Sequence, residues 1–278
     1  MFRGFYTAAS GMIAQQRRTE LLTNNMSNAN TPGFKADQSS MRAFPEMLLN
    51  RIDPISIPTE KNVNMSLEPR IGGLNTGVYM QEAIPNFLQG DLRETGIRTD
   101  VALLDVDMPS NEETGQKGTV FYTVQSPNGE IRYTRNGNFT VNGEGYLATA
   151  GGLRVLDTQG QPIWVYTDEI DIDSEGRVRR GGELAGQIGI AYAENPNMLV
   201  KEGDGLFRLE NGELPTAFEI DDIQFSIQQG FLERSNVNAS RTMTDMLTAY
   251  RAFEANQKVL TAYDRSMEKA ANEVGRLN

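Results

Sequence analysis

The stretch that decides the fold lies near the C-terminus, where residues 239–274 are ASRTMTDMLTAYRAFEANQKVLTAYDRSMEKAANEV. From Met243 to Val274, ten positions are separated alternately by three and four residues, and eight of them are apolar. This is the heptad spacing of a helix that packs along one stripe. A helix of about 35 residues is ~50 Å long, and Asn238 or Ser240 is placed to cap its start. The sequence therefore predicts a long C-terminal helix.

The N-terminal end carries a second stripe with the same spacing, from Phe5 to Ala29, in which six of eight positions are apolar. Pro32 and Gly33 are expected to end this helix. Each helix could pack on a globular core, but two long stripes at opposite ends of one chain, with polar residues such as Gln257 among them, favour a coiled coil. The stripe residues predicted to mediate assembly are Phe5, Met12, Leu22, Met26, Met243, Met246, Tyr250, Phe253, Leu260 and Met267.

The centre of the chain has the pattern of an antiparallel β-structure. Between residues 121 and 147, short alternating runs are separated by Pro127-Asn128-Gly129, Asn136-Gly137 and Asn142-Gly143, which are typical of hairpin turns. We therefore predict an α+β protein, with long N- and C-terminal helices that form a coiled-coil domain and a β-rich central domain. The predicted segments are a helix and signature in 1–33, a Pro-containing extended segment in 34–85, the β-rich domain in 86–234 and the C-terminal helix in 235–278.

The negative charge of the chain is concentrated in its centre. The 278 residues carry a net charge of −11, and residues 51–234 alone carry −14, from 15 basic and 29 acidic residues. Because phosphates repel an acidic surface, we predict no general nucleic-acid binding. No window has the ~20 apolar residues of a membrane-spanning helix, and the N-terminus lacks the pattern of a cleaved secretory signal.

The chain contains no His and no Cys, which excludes catalytic triads, thiolate nucleophiles, zinc fingers and disulfides. Residues 171–176 have the acidic spacing of the first half of a calcium loop, but Gly182 stands where the loop needs a Glu, so we interpret them as a hairpin turn. We predict no catalytic residue, no cofactor and no metal ligand. The abundant carboxylates leave one alternative open, a cell-wall hydrolase that acts through a carboxylate pair.

Two segments carry a resemblance to a known family. Residues 24–35, NNMSNANTPGFK, closely resemble the N-terminal signature of the bacterial flagellar rod and hook axial proteins, and residues 230–238, GFLERSNVN, resemble their C-terminal signature. The segment YTRNGNF at 133–139 is also similar to the family pattern. The signature residues are Asn24, Asn25, Asn28, Asn30, Thr31, Gly33, Phe34, Ser235, Asn236, Val237 and Asn238.

The chain departs from the family pattern after Asp100-Val-Ala102. Family members usually continue there with a Gly-x-Gly-Phe-Phe run, whereas this chain reaches Phe121-Tyr122 only later. We interpret residues 103–114 as a divergent acidic loop.

The resemblance implies a structural, non-enzymatic subunit of the flagellar basal-body rod, of the proximal or distal class. Such subunits polymerise helically into a drive shaft that transmits torque for motility. The implied partners are copies of the chain, other flagellar rod and hook proteins and the flagellar type III export apparatus. The implied location is the basal body across the cell wall, reached from the cytoplasm by export without a cleaved signal. The alternatives are the hydrolase and a coiled-coil scaffold unrelated to flagella.

Overall fold

A computed structural model of the chain describes residues 2–50, 55–57, 63–65, 70–111 and 115–274. The chain divides into two compact units, each built from separated segments. The first, which we call the terminal unit, comprises Met1–Thr23, Ser39–Ala83 and Met243–Asn278. The second, which we call the body, comprises Asn24–Gln38 and Ile84–Thr242.

Two long helices dominate the terminal unit. Helix α1 runs through Phe2–Ser27 and helix α2 through Ala239–Lys269, which is followed by a π-helical turn at Ala270–Val274. Within the described residues, neither helix has a stretch long and apolar enough to cross a membrane. The prediction of long helices at both ends is confirmed, and the coiled coil that they were expected to form stays a prediction.

Three contacts show that the helices lie antiparallel. Gly4 lies against Tyr263, where an added Cβ would be 2.0 Å from the hydroxyl oxygen, and Gly11 lies against Asn256. Further along, the Thr23 hydroxyl donates to the Met246 sulfur at 3.7 Å. Because both glycines lack a side chain, the two helices approach closely at these positions.

Helix α1 ends earlier than Pro32, the end that the sequence predicted. After Ser27 the chain forms turns, in which the Asn28 side chain donates to the Asn24 carbonyl at 2.9 Å and the Thr31 hydroxyl donates to Asn28 Oδ1 at 3.2 Å. Asn and Thr side chains compete with the helical hydrogen bonds in this way, so the signature begins with a turn.

Within residues 37–50, 55–57, 63–65 and 70–85, six strands form three nested pairs that we call the ribbon. Strand β1 pairs with β6, β2 with β5 and β3 with β4. The sequence predicted only extended chain here, and the structure adds the pairing, while residues 51–54, 58–62 and 66–69 lie outside the described residues. The strands are β1 Asp37–Ala43, β2 Met47–Asn50, β3 Ile55–Ile57, β4 Val63–Met65, β5 Arg70–Leu74 and β6 Val78–Pro85.

The body is β-rich, as predicted. Its main sheet has the strand order β11-β12-β13-β9-β10-β19-β18, with β17 also paired to β9; β14-β15-β16 form a second sheet, and β8 pairs with β20 and β7 with β21. The strands are β7 Leu92–Glu94, β8 Val101–Asp107, β9 Thr119–Gln125, β10 Ile131–Thr134, β11 Phe139–Val141, β12 Leu147–Thr149, β13 Arg154–Val155, β14 Ile170–Ile172, β15 Arg177–Arg180, β16 Glu183–Gln187, β17 Ile190–Ala193, β18 Leu199–Lys201, β19 Leu206–Leu209, β20 Gln224–Gln229 and β21 Phe231–Glu233.

Strand β9 is buried on both faces and separates two apolar clusters. Val120, Tyr122 and Val124 face the larger cluster, and Phe121 faces the smaller one with Phe207. Successive side chains of a strand point to opposite faces, so this single strand supplies both cores. The run of apolar residues from Thr119 is therefore a central strand.

Two of the predicted central hairpins are confirmed and one is wrong. The turns at 127–129 and 142–143 join paired strands, and the acidic segment 171–176 is a hairpin between β14 and β15. Asn136-Gly137, however, does not join a hairpin, because β10 pairs with β19 on that side. The Gly137 carbonyl instead accepts from the Val101 N–H at 3.0 Å. The acidic loop expected at 103–114 is also wrong in its first part, since residues 103–107 belong to β8.

Position 137 is predicted to require a glycine, because the neighbouring backbone leaves no room for a side chain. A Cβ at this position would lie 1.7 Å from the Val101 carbonyl oxygen, whereas a Cβ at Gly143 would meet nothing within 4 Å. We expect Gly137→Ala to lower the free energy of unfolding by about 1–3 kcal/mol, since the backbone must shift. Gly143→Ala is the matched control, with an expected change within ~0.5 kcal/mol. Urea unfolding followed by circular dichroism measures both, and equal midpoints would contradict the argument.

Candidate functional site

The two signature segments meet in the body, at a site that we call the signature junction, comprising residues 24–37 and 231–238. The Gly33 N–H donates to the Glu233 carbonyl at 2.8 Å, which docks the first segment on β21. Gly33 has φ +67°, and a Cβ there would lie 2.5 Å from the Arg135 carbonyl carbon. Glycine is needed at this position both for its backbone conformation and for the close approach.

Asparagine side chains fasten both segments to the backbone. The buried Asn25 amide donates to the Asp37 carbonyl at 2.8 Å and accepts from the Asp37 N–H at 2.9 Å. The Asn236 side chain accepts from the Ala36 N–H at 2.7 Å and donates to the Asn86 carbonyl at 2.7 Å. Each amide therefore replaces the backbone partners that an irregular segment lacks.

The remaining signature residues have local structural roles. Asn238 caps α2, as one of the two sequence-based alternatives predicted, because its side chain accepts from the Arg241 N–H at 3.0 Å. Ser235 accepts from the Val237 N–H at 3.3 Å. Phe34 is buried under the Lys201 ammonium, which lies 4.0 Å from the ring centroid. Asn24 and Asn30 are exposed.

Four charged side chains form the centre of the junction, and we call them the charge quartet: Lys35, Asp105, Arg135 and Glu233. Lys35 Nζ lies 2.6 Å from Glu233 Oε1, Arg135 Nε lies 2.9 Å from Glu233 Oε2, and Arg135 Nη1 lies 2.8 Å from Asp105 Oδ1. The side chains of Lys35 and Arg135 are 0% exposed and that of Glu233 is 1% exposed. Two cations thus balance two anions in the interior.

Backbone groups complete the hydrogen bonding of the quartet. Arg135 donates to the Val120 and Leu103 carbonyls at 2.7 and 2.9 Å. Lys35 donates to the Leu88 carbonyl at 2.9 Å, and the Gly90 N–H donates to Glu233 Oε1 at 2.9 Å. A buried ion pair is tolerated only when its remaining donors and acceptors are satisfied in this way.

The surroundings shift the pKa values of the buried groups. Burial, assisted by the nearby Arg135, lowers the pKa of Lys35 from 10.5 to about 8, although Glu233 opposes the shift. Burial alone would raise the pKa of Glu233, but Arg135, Lys35 and the hydrogen bonds outweigh it and hold that pKa below the ordinary 4.5. The Glu233 carboxylate therefore stays ionised inside the body.

The structure distributes the predicted stripe residues between buried and exposed positions. On α1, Leu22 is buried, and Phe5, Met12 and Met26 are half-buried. On α2, Met246, Phe253, Leu260 and Met267 are half-buried, whereas Met243 and Tyr250 are 52% and 53% exposed. The packed stripe of α2 includes Ala249 and Asn256, one position before Tyr250 and Gln257.

Sequence reasoning did not select any member of the quartet, although Lys35, Arg135 and Glu233 lie in quoted motifs. A signal was available, since Arg135 and Glu233 are charges within segments that otherwise have the pattern of buried strands. Within the described part of the chain, no group of three or more acidic side chains is placed to hold a metal ion.

The quartet is predicted to dominate the stability of the body. Glu233→Gln leaves Lys35 and Arg135 without their shared counter-charge, and breaking a buried pair in this way costs about 3–5 kcal/mol. The exposed Glu210→Gln is the control, with an expected change within ~0.5 kcal/mol. Chemical denaturation at pH 7 compares the two variants with the wild type. Similar stabilities for both variants would refute a structural role of the quartet.

The Glu233 carboxylate also predicts that the stability of the body depends on pH. The pKa of Glu233 in the folded protein lies below the ordinary 4.5. The ionised carboxylate therefore contributes its full share to the free energy of unfolding above the unfolded-state pKa, and this share is lost as the pH falls through the folded-state pKa. We expect the stability difference between wild type and Glu233→Gln to be constant from pH 5 to 7 and to shrink below pH 4.5. Denaturation series in both pH ranges measure this difference. A stability difference that becomes larger below pH 4.5 would contradict the prediction.

Comparison with known proteins places three parts of this chain in flagellar families. Residues 5–35 match a model described as flagella basal body rod protein, residues 117–180 match the flagellar hook protein FlgE/F/G D1 domain, and residues 228–273 match the flagellar basal body rod FlgEFG protein C-terminal region. The signature segments lie largely within the first and last of these matches.

Flagellar relatives match along essentially the whole chain. The flagellar hook-basal body complex protein FlhO of Bacillus subtilis is 46% identical over the full length of both chains. The flagellar basal-body rod protein FlgG of Borreliella burgdorferi is 31% identical over 98% of each chain, and FlgF of Caulobacter vibrioides is 29% identical over 100% of each. These matches overturn the alternative of a scaffold unrelated to flagella: the chain belongs to the family of structural flagellar basal-body rod and hook proteins.

Proposed function

We propose that this chain polymerises helically within the flagellar rod and transmits torque for motility, without enzymatic activity. Its partners are copies of itself and other rod and hook proteins. The observation that carries the proposal is an apolar stripe on α2 that the chain's own residues leave exposed.

Helix α2 carries two apolar stripes on different faces. One contains Ala249, which is 1% exposed, with the half-buried Phe253 and Leu260. The other contains Met243, Leu247 and Tyr250, at i, i+4 and i+7, and each of these is at least half exposed. An isolated subunit needs only the first stripe for its own packing, so the second is available to a neighbouring subunit.

Helix α1 also exposes apolar side chains, since Tyr6 and Ile13 are 66% and 49% exposed. Covering a large apolar side chain contributes roughly 1.5–3 kcal/mol when it is fully buried. A few such residues on each helix therefore supply a substantial driving force when many subunits pack side by side. A head-to-tail contact that does not close into a ring repeats as a filament.

The body contributes rigidity to this role. A subunit of a drive shaft has to keep its shape under load, and the charge quartet ties the first and last segments of the body to its central strands at hydrogen-bond distances. Interiors packed in this manner deform little.

The location is part of the proposal: the basal body across the cell wall, after export through the flagellar type III apparatus without a cleaved signal. Support comes from the relatives, whose names place them in the hook-basal body complex. A chain with neither disulfides nor cysteines needs no oxidation step after export, which agrees with this route.

Substitutions in the exposed stripe of α2 are predicted to abolish assembly without impairing folding. We expect Leu247→Glu with Tyr250→Glu to leave the free energy of unfolding within about 1 kcal/mol of wild type, because both positions are exposed. The same variant should be lost from isolated hook-basal bodies and should fail to restore motility to a null strain, since charges cannot be buried between subunits.

The matched control adds the same kind of charge on another face of the helix. Ala255 is exposed on the face away from both stripes, so Ala255→Glu should assemble and restore motility. Immunoblots of purified hook-basal bodies and swimming assays measure the outcome. Full incorporation of the Leu247 and Tyr250 variant into hook-basal bodies would contradict the proposal.

A further inference from the structure

A small cavity lies beside the signature junction in the body. Its volume is about 130 Å³, and it is lined by eight residues, three from the turn after α1 and five from the pair β7 and β21 and the residues that follow β21: Ala29, Asn30, Pro32, Arg93, Leu232, Glu233, Arg234 and Ser235. Of these residues only Glu233 belongs to the charge quartet, and its side chain is 1% exposed.

The strand geometry explains why two arginines and the apolar Leu232 line the same cavity. Glu233 lines the cavity but its carboxylate is already paired with Lys35 and Arg135. Side chains alternate along a strand, so those of Leu232 and Arg234, on either side of Glu233, point to the other face. Leu232 is paired in register with Arg93 across the two strands, and cross-strand partners share a face. The buried Leu232 thus forms an apolar floor in a cavity that both arginines also line.

These arginines have no acidic partner of their own. In the part of the chain that the structure describes, no carboxylate lies within ion-pair distance of either guanidinium group, and both side chains are exposed. A guanidinium binds a carboxylate through two parallel hydrogen bonds, and a floor that excludes water strengthens the attraction. The ligand that fits this site is a carboxylate on a short side chain.

We propose that the cavity receives an Asp or Glu side chain from a second copy of this chain, held between Arg93 and Arg234. This inference rests on the proposed assembly of the chain into a filament. Charge complementarity favours a second copy as the source, because residues 51–234 carry −14 and neighbouring bodies repel each other unless cations meet the acids at the contact. A pocket on one face and an acidic side chain on another make a repeating head-to-tail contact.

The test is crosslinking in cells that make the chain as their only copy. A photoreactive benzophenone amino acid replaces the exposed cavity residue Asn30, and a control protein carries it at Gln159, an exposed residue in a turn of the body. We expect Asn30 to crosslink, in isolated hook-basal bodies, to a peptide of a second copy that contains Asp or Glu. Crosslinks to a different protein, to a peptide without an acid, or none at all would overturn the proposal.

Charge reversal shows whether the arginines act in this contact. Arg93→Glu with Arg234→Glu should reduce the yield of the Asn30 crosslink at least tenfold, whereas the exposed Arg179→Glu should leave it unchanged. Should the doubly reversed protein unfold, Arg93→Gln with Arg234→Gln removes the charges without adding new ones and should reduce the yield in the same direction. An unchanged yield in a folded variant refutes the role of the arginines.

Failure of this inference is distinguishable from failure of the proposed function. If the unsubstituted chain is missing from isolated hook-basal bodies, the assembly proposal and the cavity proposal both fail. If the chain is present there but Asn30 forms no crosslink to a second copy, only the cavity proposal fails.

Discussion

The body depends on one constraint, the need to neutralise the Glu233 carboxylate in its buried position. Moving an ion there costs several kcal/mol, so the carboxylate requires cations and donors close by. Lys35 and Arg135 supply the cations from two distant segments. Gly33 and Gly90 let the backbone approach, since a Cβ at either position would meet backbone atoms at 2.5 Å or less. The signature turns and the strand pairing around them follow from this requirement.

The local patterns of the sequence predicted the elements more reliably than their partners. The helices, the Asn238 cap and the hairpins at 127–129 and 171–176 depend on residues close in sequence, and all of them form. Asn136-Gly137 has the same composition as a hairpin turn, but its glycine serves a close approach to Val101. Composition alone does not separate these two uses of glycine. The pairing of the ribbon strands is non-local, so it also had no signal in the sequence.

Apolar spacing located the helices but not the face that each one buries. A heptad pattern on α2 accommodates two adjacent stripes, and the chain covers the one that contains Ala249 in preference to the one that contains Tyr250. Small residues allow close packing, whereas the larger aromatic side chain stays accessible. The quartet escaped prediction for a related reason: charged side chains are usually exposed, and only the fold reveals that Arg135 and Glu233 are not.

The quartet also has a consequence for the order in which the chain becomes complete. Its members occupy positions 35, 105, 135 and 233, and synthesis proceeds from the N-terminus. Until residue 233 has been added, Lys35 lacks the carboxylate with which it pairs, and Arg135 has only Asp105 as its acidic partner. A nascent chain therefore lacks the last counter-ion of its interior until more than four fifths of it has been made. The body reaches electroneutrality at its centre only with one of its final segments.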